Sequence, residues 1–129
     1  LNAIDRGKQK RTMADMRSIG TAVKSYAVDN NVYPATTVIG TLKTIVETGA
    51  YMKNMPVADG WSHNFVVDSV TTEYTIYSTG KDGTGTTCTA GTTTLFNDQI
   101  CFVGGQFLRY PAGSQQSDDF HRLTRAARA

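Results

Sequence analysis

The chain contains 129 residues, 40% of them hydrophobic, and carries a formal net charge of +2 at pH 7. This length fits one domain, because domains commonly contain about 100–150 residues. The small net charge gives no indication of nucleic-acid binding, and no run of about 20 apolar residues predicts a membrane-spanning helix.

Positive charge is concentrated at the start of the chain. Residues 1–17 carry five basic and two acidic side chains, whereas the remaining 112 residues carry eight basic and nine acidic ones. A basic segment suits anionic lipid headgroups or acidic neighbours, but a solvated helix face is the simpler explanation. On charge alone we favour the solvated face.

The first predicted element is a long helix over about residues 1–30. Apolar and small side chains recur along one face at spacings of three and four. They are Met13, Met16, Ile19, Gly20, Val23, Tyr26, Ala27 and Asn30. The face that packs on the core is predicted to contain Met16, Ile19, Val23 and Tyr26.

The beginning of this helix, from Asp5 to Thr12, carries no large apolar side chain. A helix that is polar on all sides gains nothing from packing on a core, so this stretch should fray or continue a longer helix. No capping residue precedes an apolar run at Leu1, which favours the longer helix.

The helix is predicted to end at Asp29–Asn31, because Asn tolerates the left-handed conformation and Tyr33-Pro34 opposes further helix. A second helix is predicted over Val38–Met52, and turns follow at Met55-Pro56 and Asp59-Gly60.

After Trp61 the pattern changes to short strands. Asn64–Val70 and Glu73–Ser78 are predicted to form a hairpin, and further strands are predicted over Gln99–Val103 and Gln106–Tyr110. The predicted fold class is α+β, with a three- or four-stranded antiparallel sheet across the apolar stripe of the long helix.

The predicted organisation is a single globular domain over residues 1–116. It comprises the helix at about 1–30, a helix-and-loop region at 31–60, and the sheet and cysteine region at 61–110. Residues 117–129 are predicted to be a flexible tail, since chain ends without a core to dock on are poorly ordered.

The two cysteines, Cys88 and Cys101, belong to no CxxC pair or Cys/His cluster, which argues against a zinc site. The Thr/Gly-rich loop Thr84–Thr94 is typical of extracytoplasmic domains. We favour a disulfide, worth roughly 3 kcal/mol in the chain-entropy model, over two buried thiols. A disulfide implies an oxidising compartment.

No catalytic constellation is evident. His63 and His121 are the only histidines, and no paired nucleophile is evident for either. The sequence contains no Walker loop, no dinucleotide-binding fingerprint and no H-E-x-x-H motif. A Cys–His enzyme needs a free thiolate, which a disulfide between the two cysteines would not leave. We therefore predict that the protein is not an enzyme.

Two runs of residues resemble the major pseudopilins of type II secretion. The first is Lys8–Ala22, followed by Tyr26, Asp29-Asn30 and Tyr33-Pro34. The second is Asp59-Gly60-Trp61, followed by Glu73–Gly83, and it is similar to the family's D-x-W-G … Y-x-I-x-S-x-G-x-D-G pattern. The resemblance covers residues 1 to about 83 and keeps the family's order and approximate spacing.

The resemblance implies a pilin-like filament subunit with a cleaved leader, methylation and an apolar N-terminal helix half, which we expect to precede Leu1. Its partners would be copies of itself, minor pilins and an inner-membrane assembly platform. The full-length form would be anchored in the inner membrane, with a periplasmic or extracellular head. Nucleic acid is not an expected partner.

The resemblance also places the family's calcium loop at Gly80–Gly83, although Asp-Gly at a strand end is ordinary turn sequence. The implied ligands are the Thr79 carbonyl, Asp82 and a further acid, for which Asp98 is the best candidate. Two carboxylates make a weak site. We therefore expect no cofactor, and the disulfide in place of calcium.

The chain departs from the family at Asp59-Gly60-Trp61-Ser62, where the family has Asp-Pro-Trp-Gly. Its longer Thr/Gly segment and two cysteines are more like type IV pilins, so both filament types stay open. The alternative function is a minor pilin that binds DNA or a surface. The arginines that it could use beyond the long helix are Arg109, Arg122, Arg125 and Arg128.

Overall fold

The computed structural model describes residues 2–85 and 88–113. Helix α1 spans Asn2–Asn30 and helix α2 spans Ile39–Thr48. The strands are β1 (Val66–Val70), β2 (Glu73–Ser78), β3 (Gly91–Thr93), β4 (Ile100–Val103) and β5 (Gln106–Pro111). The tail predicted over residues 117–129 lies outside the described residues.

The strands form one sheet in the order β1-β2-β4-β5-β3. The predicted α+β architecture is confirmed, and its four antiparallel strands are β1, β2, β4 and β5. The sheet is nevertheless five-stranded and mixed, because β3 pairs in parallel with β5. The sequence of β3 is Gly-Thr-Thr, which carries no alternating apolar pattern, so only its tertiary position makes it a strand.

Helix α1 ends where the Asn residues predicted it would. Asn31 adopts a left-handed φ of 64° and its N–H donates to the Ala27 carbonyl. Helix α2 is shorter than the predicted Val38–Met52. At its C-terminal end the Ala50 N–H donates to the Glu47 carbonyl and the Tyr51 N–H donates to the Val46 carbonyl. This pair of hydrogen bonds is the pattern of a Schellman motif.

The core lies between α1, α2 and one face of the sheet. From α1 it receives Met13, Met16, Ile19, Ala22 and Val23, all buried. Tyr26 is half-buried, and its ring packs edge-on against Tyr51 with the centroids 5.8 Å apart. Within residues 2–85 and 88–113, no helix is both long and apolar enough to span a bilayer.

Helix α1 comes closest to the sheet at Gly20. A Cβ at this position would lie 2.5 Å from Phe102 Cε2 and 2.8 Å from the Tyr74 hydroxyl. Burial raises the pKa of Tyr74, so this hydroxyl stays protonated beneath the helix. Glycine therefore sets the helix–sheet distance, since any side chain here would push the two apart.

Replacing Gly20 with Ala tests this close approach. Ala favours helix by about 1 kcal/mol over Gly, but overpacking a tight contact typically costs about 1–3 kcal/mol. We expect a net loss in the free energy of unfolding, measured by urea denaturation. Gly7→Ala is the matched control, because no atom lies within 4 Å of a Cβ there, and it should stabilise the protein. Equal gains from both changes would contradict the proposed contact.

Candidate functional site

The polar beginning of α1 is packed along one face. Asp5, Gln9 and Thr12 share this face because they lie four and three residues apart, and they are 8%, 8% and 0% exposed. The expectation that the stretch Asp5–Thr12 gains nothing from packing is therefore wrong for this face. Polar contacts with the turn before β1 take the place of an apolar core.

Thr12 fixes the helix to that turn. Its Oγ1 accepts a 2.9 Å hydrogen bond from the Gly60 N–H and donates to the Lys8 carbonyl at 2.7 Å. A Cβ on Gly60 would lie only 2.6 Å from the Lys8 carbonyl oxygen. The turn can therefore rest on the helix backbone only where it carries no side chain.

Asp5 joins the first turns of α1 to two other segments. Its Oδ1 accepts from Trp61 Nε1 at 3.2 Å, and its Oδ2 accepts from Lys81 Nζ at 2.9 Å. The hydrogen bonds from Lys81 and then from Trp61 lower the pKa of Asp5 below its usual value. The carboxylate thus bridges the turn before β1 and the turn after β2.

Asp59 organises the turn from within. Its Oδ1 accepts the N–H groups of Trp61 and His63, each at 3.0 Å, and its Oδ2 accepts from Ser78 Oγ at 2.6 Å. His63 has a structural place here too, with Nε2 3.1 Å from the Lys81 carbonyl oxygen. The geometry of the turn therefore accounts for Asp59 and His63. The polar contacts between α1 and the two turns are called the polar lock, which consists of Asp5, Thr12, Asp59, Trp61 and Lys81.

Sequence reasoning found the Asp59–Trp61 motif but did not assign Asp5, Thr12 or Lys81 to it. The signal was available in the spacing of Asp5, Gln9 and Thr12, which places three polar side chains on one helix face. Polar residues at helix spacing ordinarily indicate a solvent-exposed helix face. The pattern can be recognised as a buried contact only once the position of the turn before β1 is known.

Cys88 and Cys101 form a disulfide, which links the loop before β3 to the buried middle of the sheet. Close to it, Asp98 Oδ2 accepts from Thr93 Oγ1 at 2.5 Å and from Arg109 Nη2 at 2.7 Å. These two hydrogen bonds, in that order, lower the pKa of Asp98 below its usual value.

Each of the three residues considered as calcium ligands makes another contact in the structure. Asp82 Oδ1 accepts the Thr84 N–H at 3.2 Å, the Thr79 carbonyl accepts the Gly85 N–H at 3.4 Å, and Asp98 faces the cationic Arg109. Calcium takes six to eight oxygen ligands. In the described part of the chain, no group of three or more His, Cys, Asp or Glu residues converges.

A long helix across a largely antiparallel sheet, locked at its start to the turn before β1, defines a pilin-like protein. Residues 1–94 match the family described as type II secretion system (T2SS), protein G, and the chain belongs to this family. Searches of curated proteins and of solved structures found no match. The family is that of the major pseudopilins, structural components of the secretion apparatus, and the matched region ends before β4.

Thr12→Val tests the lock. The change removes the hydroxyl at nearly constant volume and leaves the partly buried Gly60 N–H without its acceptor, which should cost about 1–3 kcal/mol in urea denaturation. Thr21→Val is the matched control, since the exposed Thr21 hydroxyl donates only to the Arg17 carbonyl in its own helix. The control should change stability by less than about 0.5 kcal/mol. Equal effects would contradict a specific role for Thr12.

The Asp5 contacts predict a dependence on pH. A lowered pKa means that Asp5 stabilises the fold above its unfolded pKa, near 3.8, and that this contribution is lost as pH falls through the lower folded pKa. Asp5→Asn should therefore reduce the urea midpoint at pH 7 and much less at pH 2.5. Asp68→Asn, on the exposed face of β1, should follow the parent protein at both pH values. A loss for Asp5→Asn that is equally large at pH 2.5 would contradict the ionic role.

Proposed function

We propose that the chain is a structural subunit of a type II secretion pseudopilus. It assembles with copies of itself and with minor pseudopilins at an inner-membrane platform. Assembly depends on an apolar helix half that continues α1 upstream of Leu1. The observation that carries this proposal is the polar lock, whose hydrogen bonds join the first described turns of α1 to the head.

The lock matters for a filament subunit because the helix is the part that would pack in the filament interior. A helix that frayed at Asp5 would let each head swing about its own anchor. Lys81 and Trp61 hold Asp5 from two separate turns, so the head keeps one orientation relative to the helix. A regular filament requires this, since every copy must present the same surfaces.

The disulfide supports an oxidising compartment for the head. Disulfides persist in oxidising surroundings, which supports a periplasmic head on a membrane-anchored, processed and methylated subunit. Lys10 and Arg11 are exposed on α1, away from the lock. They suit acidic neighbours or the headgroups of the inner membrane.

The alternative of a DNA- or surface-binding minor pilin receives less support. It needs free bases on the head, whereas Arg109 is paired with Asp98 and contacts the Thr89 carbonyl. The other three arginines considered for this role, Arg122, Arg125 and Arg128, lie outside the described residues. A role in a type IV pilus is favoured by the disulfide loop, but the matched family favours secretion.

Expression of the full precursor with a type II secretion platform tests the proposal. Filaments sheared from the cells should contain this chain, and cells lacking the platform should yield none. Asp5→Lys, which places two cations together in the lock, should lower the filament yield several-fold at an unchanged amount of membrane-bound subunit. Abundant membrane-bound subunit without any filament, in cells whose platform assembles another pseudopilin, would contradict the proposal.

A further inference from the structure

The segment from Cys88 to Asp98 is fastened at both ends. At its first residue, the disulfide joins Cys88 to Cys101 in β4. At its last residue, the Asp98 carboxylate binds Arg109 of β5. Both fastenings reach the same place in the sheet, because Arg109 pairs in register with Cys101 on one side and with Gly91 of β3 on the other.

Arg109 donates hydrogen bonds to oxygen atoms in separate parts of this segment. Its Nη2 donates to Asp98 Oδ2 at 2.7 Å and its Nη1 donates to the Thr89 carbonyl at 3.3 Å. Thr93 adds its hydroxyl to the same Asp98 oxygen. A guanidinium offers five N–H donors in a rigid plane, so a single side chain can hold a carboxylate and a carbonyl together.

These contacts occupy the acid that a calcium site in this region would need. The side chains of Arg109 and Asp98 are 18% and 28% exposed, so the pair is partly shielded from water and salt. A divalent cation at Asp98 would have to displace Arg109 or lie beside its positive charge. The loop 83–97 contributes no other acid, since its residues are Gly, Thr, Cys, Ala, Leu, Phe and Asn.

We propose that the Arg109–Asp98 ion pair and the Cys88–Cys101 disulfide hold this segment in place of a metal ion. The head therefore folds independently of calcium and depends instead on oxidation of its two cysteines. Of the four residues that hold the segment, Asp98, Cys101 and Arg109 lie beyond residue 94, where the match to the pseudopilin family ends. This inference goes beyond the proposed function and is tested on the chain itself, without a filament.

The first experiment measures thermal melting of the oxidised chain in 2 mM CaCl₂ and in 2 mM EDTA. The two melting temperatures should agree, whereas dithiothreitol should lower the melting temperature by about 5–20 °C through loss of the disulfide. A melting temperature higher in CaCl₂ than in EDTA, by an amount that Asp98→Asn removes, would overturn the proposal.

The second experiment is a double-mutant cycle on the ion pair. Arg109→Gln and Asp98→Asn should each lower the melting temperature by about 3–8 °C, and the double variant should be no worse than the poorer single variant. Arg11→Gln, on the exposed face of α1, is the matched control and should leave melting unchanged. Strictly additive losses would overturn the ion pair's role. If Arg109→Gln does not fold, the comparison of CaCl₂ with EDTA on the parent chain decides the question.

Discussion

Close approach of helix α1 to the rest of the molecule is the constraint on which the structure depends. Two glycines permit it, one on the helix and one on its partner. Gly20 lets Phe102 and Tyr74 of the sheet reach the helix backbone, and Gly60 lets the turn before β1 rest on the Lys8 carbonyl. The rest of the core, including Met16 and the other buried residues of α1, is arranged around the distance that these two contacts set.

The two contacts differ in chemistry along one helix. Around Gly20 the helix is held by apolar burial, which is strong but has little directional preference. Around Thr12 it is held by hydrogen bonds to partly buried groups, which fix direction and are costly to leave unmade. The family's proline at position 60 would lack the N–H that Thr12 accepts here. Gly60 therefore lets the turn approach the helix backbone and also provides the N–H that donates to Thr12. Glycine at this position, where the family has proline, thus makes the hydrogen bond possible.

The sheet illustrates a division between the matched and unmatched parts of the chain. The match to the pseudopilin family covers helices α1 and α2 and strands β1, β2 and β3. Strands β4 and β5 complete the sheet, and Arg109 and Cys101 on them fasten the Thr/Gly-rich segment across its edge. Burial alone cannot hold a segment with so little apolar surface against the sheet, because it does not offset the loss of conformational entropy. The disulfide and the ion pair hold it instead.

The sequence by itself determined the parts governed by local pattern. The stripe through Met16, Ile19 and Val23, the helix end at Asn31, and the β1–β2 hairpin follow from spacing and turn residues. Only the tertiary structure decided that Asp5 and Thr12 are buried, that β3 is a strand and that Asp98 meets Arg109. The physical reason is that each of these depends on a partner distant in the chain, and a polar residue's pattern is the same whether its partner is water or another segment.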